Sequence, residues 1–178
     1  MTYQPVKGSR TVIALVQDRP GVLARVAGLF RRRGFNIASL AVGRSERKGM
    51  SRMAFVVEGD AETVGQVARQ LDKLVDVVEA QDITDQDVVY REMALIRVVA
   101  VPETRTEILQ LVDIFRADVI DVGAEAVVIE TTGDADKIDS LIALLQPFGV
   151  REVMRTGKVA MPRSALVKGG RDGFNVKR

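Results

Sequence analysis

Asp18-Arg19-Pro20-Gly21 is the stretch of this chain whose residue types and spacing come closest to a binding site. Pro20 pre-sets a turn, and Gly21 lets the backbone pass close to another group. An apolar helical repeat begins directly afterwards, so the N–H groups of Gly21, Val22 and Leu23 fall at a helix N-terminus without intrahelical acceptors. Such an end favours a carboxylate. Two readings stand: a small anionic ligand, or an ordinary cap in which Asp18 or a neighbour accepts those N–H groups. Asn36 carries an amide that donates to a carboxylate and accepts from an ammonium, and it is equally at home as a turn residue after Gly34. The first strand–helix loop and the start of the second strand are expected at one sheet end. Asp18, Gly21 and Asn36 would then converge on an amino acid, with Val22, Leu23 and Ile37 as an apolar rim or as plain core.

The rest of the composition removes most other chemistry. The 178 residues include no Cys and no His. Thiol nucleophiles, imidazole bases and nearly all zinc sites are thereby excluded, so neither a catalytic nor a metal site is assigned. The absence of Cys fits a reducing cytoplasm. No apolar run approaches the roughly 20 residues of a membrane span, and the first ten residues lack a signal-peptide core. Arg31-Arg32-Arg33 offers cations for phosphate or RNA, but it also stands where cations satisfy a helix C-terminus. RNA-binding sheets stack bases on clustered aromatics, whereas here only Phe35, Phe55 and Tyr90 lie near strands, unclustered. No nucleic acid is therefore expected.

The elements that must position these residues appear twice. RTVIALVQ is a β-branched strand, followed by the turn and by Val22, Leu23, Val26, Ala27, Leu29 and Phe30 at helical spacing. Gly34 is placed to close that helix in a left-handed cap. FNIASLAVG and MSRMAFVVEG are strands joined through ERKG. Val64, Val67, Leu71 and Leu74 mark a second helix, and VDVVEAQDI a fourth strand. The order β-α-β-β-α-β then repeats: REMALIRVVAV; a helix with Ile108, Leu109, Leu111, Val112 and Phe115; ADVIDVG; EAVVIETTG; a helix with Ile138, Leu141, Ile142 and Leu145; and VREVMRTGKVA. GDAE from Gly59 and GDAD from Gly133 recur at one junction and read as helix caps.

The fold class is thus α+β, with two tandem ferredoxin-like units at 10–84 and 91–160. A basic, flexible tail is expected at 161–178, where five basic residues face Asp172 alone. The second strand is expected at a sheet edge. Its Ala38, Ser39, Leu40, Ala41 and Val42 carry no charge to discourage pairing, which makes it a dimer edge in a homodimer or larger assembly.

A βαββαβ unit with DRPGVL at its first turn resembles an ACT domain, a module that senses small molecules. DRPGVLARVAGLFRRRGFNIASLAVG, SRM, QLDKLVDVVE, REMALIRV, FRADVIDV and RTGKVAMPR together resemble the regulatory small subunits of acetolactate synthase, over roughly residues 10–163. The resemblance implies an N-terminal ACT domain and a second ACT-like domain. It implies a thiamine-diphosphate-dependent catalytic subunit as partner, which condenses two 2-oxo acids and carries magnesium and FAD, with no cofactor in this chain. It also implies activation of that partner and feedback inhibition by a branched-chain amino acid, usually valine. The effector would lie between the first domains of two small subunits, against Asp18, Gly21, Val22 and Leu23 of one and Asn36 and Ile37 of the other. Many relatives have Asn where this chain has Asp18, whose carboxylate repels an effector carboxylate and suits an ammonium or backbone N–H groups. The competing readings are a free-standing amino-acid-sensing ACT protein that controls another enzyme or transcription, an RNA-binding protein and a self-contained enzyme.

Overall fold

Val12 to Val16 are all buried, and that continuous apolar run reflects a strand covered on both faces. The computed structural model describes residues 8–164. The strand is β1 (Ser9–Gln17), central in a sheet of order β2-β3-β1-β4 with β2 at Ile37–Arg44, β3 at Met50–Glu58 and β4 at Val77–Asp82. Helices α1 (Val22–Arg33) and α2 (Ala61–Leu71) pack on one face. Val12, Ala14 and Val16 meet Phe30, Phe55 and Leu71 there, and the rings of Phe30 and Phe55 stack at 5.2 Å between centroids. On the other face Ile13 and Ala54 are covered by Ile83, Val88 and Ala160.

The second set comprises β5 (Val88–Val99), α3 (Pro102–Ile114), β6 (Asp118–Val122), β7 (Ala126–Gly133), α4 (Ala135–Leu145) and β8 (Val150–Arg155), with sheet order β6-β7-β5-β8. Along β5, buried Ala94, Ile96 and Val98 alternate with less buried residues including exposed Arg97, so this sheet is sealed on its helix face. Two βαββαβ units stand in tandem, as the sequence pattern predicts. Among the described residues, the compact units are 8–89 with 160–164, and 90–159.

The expected last strand, 150–160, is two strands. Gly157 takes φ 77° after β8, and β9 (Val159–Pro162) then pairs with β5. Strand β9 therefore runs two residues into the expected tail, and 165–178 lie outside the described residues. Helix α2 stops at Leu71, short of Leu74, whose N–H turns back to the Leu71 carbonyl at 2.9 Å. The caps fall where expected: Asp60 accepts from the Thr63 N–H at 2.8 Å and Asp134 from the Lys137 N–H at 3.0 Å, while Gly34 ends α1 at φ 69°.

Candidate functional site

Gly21, at φ 85°, is the N-cap residue of α1, and no side chain caps that end. A Cβ at this φ is strained, although nothing lies nearer than 3.9 Å to where it would stand. The Val22 N–H reaches the Arg19 carbonyl at a long 3.4 Å, so it is not a free donor as expected. Among the described residues, the N–H groups of Gly21 and Leu23 meet no protein acceptor. Of the capping alternative, only the Arg19 carbonyl's contact with Val22 is present: the Asp18 carboxylate stands near Arg44 at 3.8 Å, while its own N–H donates to the Gly49 carbonyl at 2.9 Å. Val22 is sunk in the first core and offers no side chain to a rim. Leu23 does, being 45% exposed.

Asn36 does not join this turn within one chain. Strands β1 and β2 each pair antiparallel with β3, so they run parallel to each other. Ile37 lies opposite Val57, which pairs with Arg10 near the start of β1, whereas Gln17 lies opposite Met50 at the other end. The end of β1 and the start of β2 are thus separated by the length of the sheet, roughly 25 Å at ~3.3 Å per residue. The expected convergence fails because the intervening helix must carry the chain back to the sheet end where β1 began. Asn36 is exposed, and its carbonyl accepts the Glu58 N–H at 3.2 Å.

Edge strand β2 begins with a bulge. Ile37 pairs with Val57 and Ser39 with Val56, which leaves Ala38 as the extra residue. The bulge sets Ile37 and Leu40 on one face, both packed against the helix-side core, while Ala41 packs on the opposite face against the group containing Ile13 and Ala54. Val42 is 48% exposed.

Two residues that the sequence reading passed over flank the turn. Arg25, in the second turn of α1, places Nη1 3.9 Å from the Cβ position of Gly21, and its Nε lies 2.6 Å from Asp76 Oδ2. Asp76 is a lone charge inside Leu74-Val75-Asp76-Val77-Val78, a signal legible in the sequence.

Arg31, Arg32 and Arg33 are exposed in the last turn of α1. Phe55 is fully buried and Phe35 packs on the core, so neither offers an exposed stacking platform. Among the described residues, no group of three or more acidic, His or Cys side chains is arranged to hold a metal ion, and no helix is long and apolar enough to cross a membrane.

Residues 13–79 match a model of the AHAS small subunit-like ACT domain, and residues 91–164 match a model of the small subunit of acetolactate synthase. A probable acetolactate synthase small subunit of Archaeoglobus fulgidus is 54% identical over 153 residues, covering 86% of this chain and 96% of that one. The chain belongs to the acetolactate synthase small-subunit family. The acetolactate synthase small subunit of Bacillus subtilis is 46% identical over 160 residues, or 89% and 93% of the two chains. The crystal structure of the small subunit from Thermotoga maritima superposes with a TM-score of 0.83 at 46% identity, covering 89% of this chain and 99% of that one. Members of this family are named as the small subunit, so the chain is not read as an enzyme on its own.

Proposed function

We propose that this small subunit activates a thiamine-diphosphate-dependent large subunit and makes it subject to feedback inhibition by a branched-chain amino acid, valine first among candidates. The large subunit carries the chemistry, the condensation of two 2-oxo acids, together with the thiamine diphosphate, magnesium and FAD. The small subunit works beside it in the cytoplasm and needs neither nucleic acid nor membrane.

The observation that supports an effector site is the uncapped turn at Gly21, with its unpaired N–H groups beside an open edge strand. Because Asn36 lies at the far end of its own sheet, the site is completed by a second copy. Two β2 strands pairing antiparallel about Leu40 and Ala41 would set Asn36 of the partner subunit level with Arg44 and Ser45, beside Asp18. The effector carboxylate then meets the Gly21 and Leu23 N–H groups, and its ammonium the Asp18 carboxylate and the partner's Asn36. Leu23, together with Ile37 of the partner subunit, supplies the apolar wall.

Reconstitution tests this reading. The purified chain, mixed with the large subunit of the same organism, is expected to raise acetolactate formation, and valine is expected to lower it again. Inhibition must be measured as well as binding, because a bound effector shifts activity only if it favours one of two states. Acetolactate formation by the chain alone, with thiamine diphosphate and magnesium, would overturn the assignment.

A further inference from the structure

Asp76 grips both ends of the Asp18–Gly21 turn. Its backbone carbonyl accepts the N–H of Gln17, the last residue of β1, at 2.8 Å. Its carboxylate lies 2.6 Å from Nε of Arg25, in the helix that follows the turn. Asp76 is only 6% exposed, and the approach to Arg25 is not aligned for a hydrogen bond, so Oδ2 is held by charge. Burying a carboxylate is costly unless a cation stays beside it, and this cost fixes Arg25 in place. The Arg25 side chain is itself 52% exposed. With Nε turned to Asp76, Nη1 stands 3.9 Å from where a Cβ on Gly21 would be, next to a residue whose N–H is unpaired. A positive charge is therefore held beside donors already suited to a carboxylate. It also answers a difficulty at the same turn: Asp18 repels an anion, and a guanidinium held by a buried acid offsets that repulsion.

We propose that Arg25 is the cationic contact for the carboxylate of the amino-acid effector and that Asp76 is the positioning residue that holds it there. The assignment rests on the effector site described above and adds to it the charge that selects a free carboxylate. It also ties effector contact to the connection between α2 and β4, where Asp76 sits. The Asp76 carboxylate acts only through Arg25, so the two side chains are coupled rather than additive.

The test is calorimetric titration of L-valine into the full chain, with thermal unfolding of each variant as a check on folding. Arg25→Met is expected to raise Kd about tenfold, the usual scale for losing a charged contact. Arg25→Lys should recover part of that loss, because the charge remains without the fork that bridges Asp76 to the ligand. Asp76→Asn should weaken binding less than Arg25→Met. The double variant, which leaves no buried charge unpaired and so remains informative if Arg25→Met fails to fold, should bind no worse than Arg25→Met. Wild-type affinity in the folded double variant would overturn the assignment, as would losses from the two single changes that multiply in the double. A wild-type chain that binds no branched-chain amino acid would overturn the effector site itself, a result distinct from either of these.

Discussion

Arg155 and Glu92 form a two-pronged ion pair at the helix-face end of the second sheet: Nε and Nη2 of the guanidinium each lie 2.8 Å from one carboxylate oxygen. Nη1 reaches across to Asp139 of α4 at 2.6 Å, so one cation ties β8, β5 and a helix together. Glu92 is 7% exposed. The Glu92 hydrogen bonds, followed by those of Asp139, hold the guanidinium pKa above its ordinary value against the opposing effect of burial. Arg155→Met leaves two acids without their cation in a low-dielectric site and should cost about 3–5 kcal/mol. Chemical denaturation measures this, and a loss under about 1 kcal/mol would show the pair to be solvent-screened like an ordinary surface bridge.

A second ion pair gives the first unit a pH signature. Burial alone would raise the pKa of Asp82, but the Thr84 hydroxyl and N–H and the Arg10 guanidinium outweigh it, so the net shift is downward. The contacts are 2.6 Å and 3.0 Å to Oδ1 and 2.8 Å to Oδ2. A carboxyl whose pKa is lower in the folded chain stabilises the fold above its ordinary pKa, near ~4, and that stability is lost as pH falls through the folded value. The unfolding midpoint should therefore drop as pH falls below about 4. Asp82→Asn should lower stability at pH 7 and flatten the acid limb. An unchanged acid limb in that variant would assign the pH dependence to other groups.

Edge pairing through β2 predicts a link between assembly and effector binding. Leu40 is unsuitable as a probe because it packs on the helix-side core, and a charge there would damage the fold. Val42, half-exposed on the same edge strand, is the better position. Val42→Lys places like charges near the pairing strands, so sedimentation should show a smaller assembly than wild type. Valine binding should fall with it if, as proposed, each site borrows Asn36 from the partner subunit. A variant that is monomeric yet binds valine normally would place the whole site within one chain.

The repeated βαββαβ order was legible because apolar spacing changes from period 2 to period 3.6 at each junction, and Asp60, Asp134 and Gly34 punctuate it. Four features were not. The bulge at Ala38 cannot be read from Ile-Ala-Ser-Leu, where strict alternation would put Ile37 and Leu40 on opposite faces. The split between β8 and β9 turns on the positive φ of Gly157, and a single glycine inside a strand-like run does not announce that break. The relation between Gly21 and Asn36 was misjudged through topology rather than propensity, since a helical crossover between parallel strands sets the two loops at opposite sheet ends. Arg25 and Asp76 escaped because their meaning is pairwise: 51 residues apart in sequence, each reads as an isolated charge.

Asn36→Ala should weaken valine binding and valine inhibition while leaving activation of the large subunit intact. The side chain is exposed at the start of β2, and the hydrogen bond recorded for this residue is accepted by its backbone carbonyl from the Glu58 N–H, which alanine retains. The fold should therefore lose little. In the proposed site, what is lost is one amide contact to a charged ligand across the dimer edge, typically about 1.5–3 kcal/mol, or roughly tenfold or more in affinity. Activation depends on the surface that meets the large subunit, in which Asn36 has no assigned part. Calorimetry gives the affinity, and assays of the reconstituted complex give inhibition and activation separately. Wild-type values in both would remove Asn36 from the site. Loss of activation along with binding would instead make Asn36 a turn residue that supports the strand, and the cross-dimer site would then have to be completed from another part of the partner subunit.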